Sequence, residues 1–487
     1  MWKKINSLFP RGAGLRETAL RNVFWLTTGA FVSKVIRAVL IIYAARVLGT
    51  EGYGIFSYAL SLAAFFTIFS DIGLSPLFTR EAVKKPEALK AYFSTTFTLK
   101  LIVLSITTLA TVTIAPLFTR IPEARALIPL IALLLVFDSL RDFGFSVTHA
   151  QNRMDLEALF SVATNVAITG LSLAVLFFKP TPAALAMSYT MGSGIGFLLV
   201  FFFIIRQFRN LISHFDRTLV RPILKSAWPF AVMGLFGGFM INIDILFIGW
   251  FRSAHELGLY GAAQRPIQLF YLLPALLSAG LFPIISRLVQ EKDGWRIRLV
   301  TEKSLAAAFL MALPLAAGGI IVARPLLELL FGSVYAEATP AFQLLLSTVL
   351  LVFPGALIAN TIFAHDAQKA FIASTALGAG ANVLFDYLLI PPYGITGSAV
   401  ATVIALLLTV GTNWIKLRRI VPLAPWPHLP RIAAATLLMS AVTALVAFAG
   451  APVLVNVALS AALYLATLFV LREPLLTAIL RRQDPLH

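Results

Sequence analysis

The chain has 487 residues, 59% hydrophobic and 13% charged, with a formal net charge of +17 and no cysteine. So low a charged fraction, about half that of ordinary soluble domains, excludes a soluble globular protein. The missing cysteines exclude disulfides, thiolate metal sites and a cysteine nucleophile. The excess of cations does not point to nucleic acid, because it concentrates in alternate short loops between apolar runs, where it sets membrane orientation and meets lipid headgroups.

Residues 1–22 form a basic N-terminus carrying Lys3, Lys4, Arg11, Arg16 and Arg21. The apolar run that follows, Val23 to Val47, is too long for a signal-peptide core and no small-residue cleavage site ends it, so it reads as a retained helix. Further runs of membrane-spanning length are Ile55 to Thr79, Tyr92 to Phe118, Ala126 to His149, Leu156 to Phe178 and Ala183 to Ile205. A basic loop from Arg206 to Lys225 marks a lobe boundary, giving an N-lobe at 23–210 and an inter-lobe loop at 211–226. A C-lobe at 227–417 holds Ala227 to Phe251, Leu259 to Ile285, Leu299 to Leu330, Pro340 to Ala364, Ala370 to Ile390 and Gly394 to Leu417. The run from Leu299 is long enough to be tilted or broken near Pro314. After a basic loop at 418–431, two nearly non-polar spans at 432–471 face lipid at the periphery, and residues 472–487 form a cytoplasmic tail. The expected fold is an all-α polytopic membrane protein of about 14 transmembrane helices, two pseudo-symmetric six-helix lobes plus a C-terminal pair.

With the N-terminus cytoplasmic, the outer loops keep only Arg120, Arg125, Lys179 and Arg252, and both termini lie inside. No loop is long enough for a soluble domain. The two halves also repeat. Trp25 opens the first and Trp228 the second; Glu51-Gly52-Tyr53-Gly54-Ile55-Phe56 corresponds to Glu256-Leu257-Gly258-Leu259-Tyr260-Gly261, and Asn165-Val166 to Asn382-Val383. An even number of spans per half makes the repeats parallel, with a site between them near the midplane.

Charge inside the spans is scarce and therefore informative. Lys34 and Arg37 sit near the middle of the first span, one helical turn apart on one face. Lipid does not accept two such groups, so they face a bundle interior or a water-filled cavity. The alternative is a structural ion pair with a carboxylate on a neighbouring helix. Lys100, Arg265 and Gln268 extend the candidate binding set, and a cationic cavity of this kind concentrates anions such as phosphate or pyrophosphate. Asp71, Asp138 and Asp244 are the candidate coupling or gating carboxylates. Asp138, Arg141 and Asp142 are also spaced to pair among themselves. Asn165 and Asn382 read as interhelical hydrogen-bond formers, the run from Gly192 to Gly196 as a close-packing face, and His149 and His365 as interfacial residues without metal-ligand spacing.

Two segments carry a family resemblance. Ala45-Arg46-Val47-Leu48-Gly49 followed by Glu51-Gly52-Tyr53-Gly54, and the stretch from Asn382 to Thr402, resemble the polysaccharide-transporter branch of the multidrug/oligosaccharidyl-lipid/polysaccharide exporter superfamily. The resemblance implies a non-enzymatic flippase in the bacterial inner membrane that moves undecaprenyl-pyrophosphate-linked oligosaccharide, such as an O-antigen unit, by alternating access. It further implies lumenal cations for the pyrophosphate, no cofactor, coupling to an H+ or Na+ gradient, and polysaccharide polymerase and chain-length machinery as partners. The alternatives are a lipid II or teichoic-acid precursor flippase, a multidrug or cation antiporter, and a membrane glycosyltransferase or polymerase.

Overall fold

The computed structural model describes residues 15–84, 86–207, 214–423 and 428–475. Residues 1–14 of the basic N-terminus, 85, 208–213, 424–427 and 476–487 of the tail lie outside the described residues. The described residues form helices and no strand, as lipid demands of any open structure whose backbone polar groups must pair internally. Nine helical stretches among them are long and apolar enough to cross a membrane. The full set of helices is consistent with about fourteen spans in this all-α membrane fold.

The chain packs as two compact units, the first running to Gly258 and the second from Leu259. In the first unit, α1 (Leu15–Asp71) is a pair of helices joined across Gly49, whose φ of 67° and ψ of −178° lie where only glycine is unstrained. Ile72 and Gly73 turn the chain into α2 (Leu74–Lys84), so the second apolar run ends at Asp71 and not at Thr79. There follow α3 (Leu89–Phe118), the short α4 (Pro122–Ala126), α5 (Ile128–Ala150), α6 (Met154–Phe178) and α7 (Pro182–Gln207). The last helix wholly in this unit is α8 (Arg217–Phe251). Its N-cap is Asp216, whose carboxylate accepts from the Thr218 hydroxyl and amide and is held below its usual pKa by those bonds. The Asp216 amide donates to Thr95 Oγ1 at 3.0 Å, tying the start of α8 to α3. Packing therefore keeps α8 with the helices before it, whereas the charged loop that precedes it had marked a lobe boundary at 211–226.

The second unit begins within α9 (Ala254–Phe270) and continues through α10 (Leu272–Gln290), α11 (Gly294–Ile321), α12 (Ala323–Phe331), α13 (Thr339–Ser347) and α14 (Val349–Ala364). The long apolar run from Leu299 does break, but at Val322 between α11 and α12; Pro314 stays inside α11. Next comes α15 (Gln368–Ile420), a second pair of helices joined across a glycine, Gly394, at φ 57° and ψ −138°. α16 (Leu429–Phe448) and α17 (Val453–Val470) close the unit and pack on each other, with Asn456 Nδ2 donating to the Thr443 carbonyl at 3.0 Å.

Between lipid-solvated helices, apolar burial gives little net drive, and shape and hydrogen bonds decide the packing. α7 approaches α6 along Gly192 and Gly196, where an added Cβ would stand 2.5 Å from the Ile168 Cα and 2.2 Å from the Thr164 Oγ1. Phe78, Phe93 and Phe143 form a buried aromatic knot, with centroids 5.7–5.8 Å apart, that locks α2, α3 and α5 together.

Candidate functional site

The first half of α1 lies along α6. Gly29 faces Ala158, Ser33 Oγ and Ser161 Oγ share a hydrogen bond of 3.1 Å, and Thr169 Oγ1 donates to the Ile36 carbonyl at 3.4 Å. This register sets Arg37 opposite Asn165. The Arg37 Nε donates to Asn165 Oδ1 at 3.0 Å, and its guanidinium carbon lies 5.8 Å from the centre of the Tyr189 ring on α7. Asn165 is itself oriented by its Nδ2, which donates to the Ser161 carbonyl at 2.8 Å. Lys34, one turn earlier, is exposed. Neither cation takes part in an ion pair among the described residues.

The carboxylates that could have paired with them are engaged elsewhere. Asp71 binds Lys100: Nζ is 2.7 Å from Oδ1, and the lysine side chain is 1% exposed. Ser75 Oγ also donates to Asp71, at 2.5 Å. Asp138 takes Arg141 at 2.7 Å and the Ser193 hydroxyl at 2.5 Å, while Arg141 reaches Asp142 at 3.1 Å. The i, i+3 pairing expected within α5 is thus present, and a hydrogen bond from α7 completes it. His149 at the end of α5 and Glu157 at the start of α6 lie in direct contact.

The candidate residues therefore fall into groups. Lys34 and Arg37 stand together on one face of α1. Lys100, counted among the substrate cations from its sequence position, is buried on Asp71. Asp244 is buried in α8. Arg265 and Gln268 lie in the second unit, where Arg265 Nη1 donates to Gln268 Oε1 at 3.4 Å. Asn165 proves to be an interhelical partner, as expected, but its partner is the candidate site cation itself. Asn382 instead donates within its own helix, to Asp386 Oδ2 at 3.2 Å, and Ser398 from the other segment of α15 donates to Asp386 Oδ1 at 3.1 Å. Tyr189 was not foreseen as a member of the site. Its only signal was an aromatic residue on a span otherwise read as a packing face.

Each unit also holds an apolar cavity. One of about 640 Å3 lies among α1, α3 and α8, and another of about 580 Å3 among α10, α11, α16 and α17.

The family model described as "Polysaccharide biosynthesis protein" matches residues 19–289, which spans all of the Arg37 site. The chain belongs to that family. A second model, MatE, matches residues 229–388, in keeping with the exporter superfamily that the two signature segments resembled. Relatives similar to this chain include "Probable low-salt glycan biosynthesis flippase Agl15" of Haloferax volcanii, 23% identical over 75% of this chain and 76% of that one. "Succinoglycan biosynthesis transport protein ExoT" of Rhizobium meliloti is 24% identical over 68% and 66% of the two chains. Among solved structures, "Lipid II flippase MurJ, inward closed conformation" superposes with a TM-score of 0.72 at 17% identity, covering 94% of this chain and 98% of that one. That likeness establishes the fold: this family member is a multi-pass, all-α membrane protein of the same architecture.

Proposed function

We propose that the protein is a transporter, not an enzyme, that flips a polyprenyl-pyrophosphate-linked oligosaccharide across a membrane, with Lys34 and Arg37 receiving the pyrophosphate. One observation carries this reading: two cations stand one turn apart at mid-span with no carboxylate partner among the described residues, and one of them is held in position by Asn165 and Tyr189. A lysine or arginine facing hydrocarbon at that depth costs about 2.5–3.5 kcal/mol on insertion scales, so this face borders water. There, a guanidinium fork and an ammonium can engage several phosphate oxygens at once. The relatives named for glycan and succinoglycan export support a saccharide cargo. A cationic face disfavours an organic-cation substrate, and loops this short leave little room for the catalytic apparatus of a glycosyltransferase.

In a bacterial host the carrier is undecaprenyl pyrophosphate and the location the inner membrane, with both termini cytoplasmic, as the loop charges favour. Transport runs on an H+ or Na+ gradient, and polymerase and chain-length proteins act on the delivered unit. The deciding experiment reconstitutes the protein in liposomes with a fluorescent lipid-linked oligosaccharide and follows its passage to the outer leaflet, with and without imposed gradients. Flipping of this lipid that is lost in Arg37→Ala at unchanged protein level supports the proposal. Equal flipping by the Arg37→Ala protein sinks the assigned role.

A further inference from the structure

The cavity among α1, α3 and α8 is apolar throughout its length, lined by Tyr58, Phe65, Val103, Ile106, Ile243 and Trp250 among others. It is a groove and not a sealed void, since Ile106 on its wall is 63% exposed and Trp250 38%. Its volume of about 640 Å3 falls in the range of sites that enclose a small ligand. No side chain of the described residues fills it. One end has a distinct chemistry. The Arg120 guanidinium carbon lies 5.8 Å from the centre of the Trp250 ring, so a cation caps the aromatic wall. The turn that carries it is fixed: Arg125 Nη2 donates to the Thr119 carbonyl at 2.8 Å, and Thr119 Oγ1 to the Ala115 carbonyl at 2.7 Å. Arg125 is occupied by that carbonyl, whereas Arg120 has no ion pair among the described residues, not even with nearby Glu123. The residues lining the cavity of the second unit carry no charge.

An apolar slot with a cation at one mouth matches an amphiphile with an anionic head. We propose that this groove is a binding site for an anionic membrane phospholipid, one acyl chain lying against Phe65, Ile106 and Ile243 and the phosphate resting on Arg120. A single chain suits the cavity; a long polyprenyl tail overfills it. Arg120 is the discriminating group, because the apolar walls alone would accept a chain from any lipid.

The test uses the full-length protein in mixed micelles and reads quenching of Trp250 by phospholipids with dibrominated acyl chains. The Trp250 component is the part of the quenching that a Trp250→Phe variant loses. Phosphatidylglycerol should quench that component at about fivefold lower mole fraction than phosphatidylcholine with the same chains, the ratio expected for one basic contact near a membrane surface. Arg120→Ala should remove the difference and leave phosphatidylcholine quenching unchanged. Ala110→Phe, which fills the groove, should weaken quenching by both lipids. Equal quenching by the two lipids in the wild type, or a preference that survives Arg120→Ala, overturns the proposal. So does displacement of the brominated phosphatidylglycerol by undecaprenyl phosphate more readily than by unlabelled phosphatidylglycerol, since that would assign the groove to the carrier lipid. If Ala110→Phe does not fold, the Arg120→Ala comparison decides alone, because that side chain is exposed.

Discussion

α1 and α15 both run as two helical segments through a glycine at positive φ, Gly49 in one and Gly394 in the other. Their polar side chains differ in sign. The first half of α1 carries Lys34 and Arg37, the latter with an amide and an aromatic ring as partners, whereas α15 carries the buried Asp386 with Asn382 and Ser398 donating to it. The backbone device is repeated and the charge is not. A helix joint through glycine is a solution to chain direction, so it recurs wherever two spans must meet closely. The charge at mid-span answers to what lies beside it, so it differs between the halves.

The largest expected effect is on the cationic side. Arg37→Ala should lower the flipping rate by roughly 10–100-fold, the loss of one or two charge-assisted hydrogen bonds. Thermal stability in detergent should fall by no more than about 1–3 kcal/mol, since the Asn165 amide oxygen loses its donor but no buried carboxylate is stranded. Arg37→Lys should retain part of the activity. A collapse in stability instead of activity would make α1 a structural element like α15 and erase the contrast.

Lys100→Ala should act in the opposite way. Removing one partner of a buried pair typically costs about 3–5 kcal/mol, and the lower end applies here because the Asp71 side chain is 28% exposed. Thermal unfolding of Lys100→Ala and of the double variant Lys100→Ala, Asp71→Asn reads this directly. A double variant no more stable than the single would show that the pair is not what holds Lys100 in place.

Gly49→Ala and Gly394→Ala probe the shared device. Each should lose about 1–3 kcal/mol, the cost of placing a side chain where its backbone angles are sparsely populated. Similar melting-temperature losses would sharpen the likeness of the two joints; a loss at only one would break it. The smallest effect is expected from Ser398→Ala, which removes one neutral donor to Asp386 and should cost about 1 kcal/mol in the same measurement.

The helical plan was legible because lipid imposes a length and a composition on every span. Lys34 and Arg37 were legible as a pair because a spacing of three in any helix puts them on one face. The partners were not. Asp71 and Lys100 are 29 positions apart, and Arg37 and Asn165 are 128, so only packing decides which carboxylate meets which cation. From the residues alone, Lys100 looked like one more substrate cation. The break at Val322 was missed for a related reason: proline was the visible breaker, yet Pro314 stays inside the helix and the break comes eight residues later. Loop charge reports membrane side, whereas α8 packs with the helices that precede it.

The clamp on Arg37 has a thermodynamic consequence. A free arginine on a cavity wall samples many rotamers, and binding a ligand must freeze them, at about 0.5–1.5 kcal/mol for a side chain of this kind. Asn165 and Tyr189 have already restricted Arg37 before any ligand arrives, and the close approach of α7 to α6 keeps those two restraints in register. Lys34 has no such restraint. The two cations thus divide the work between a preset anchor, which sets where an anion lands, and a mobile arm, which can follow it as it moves.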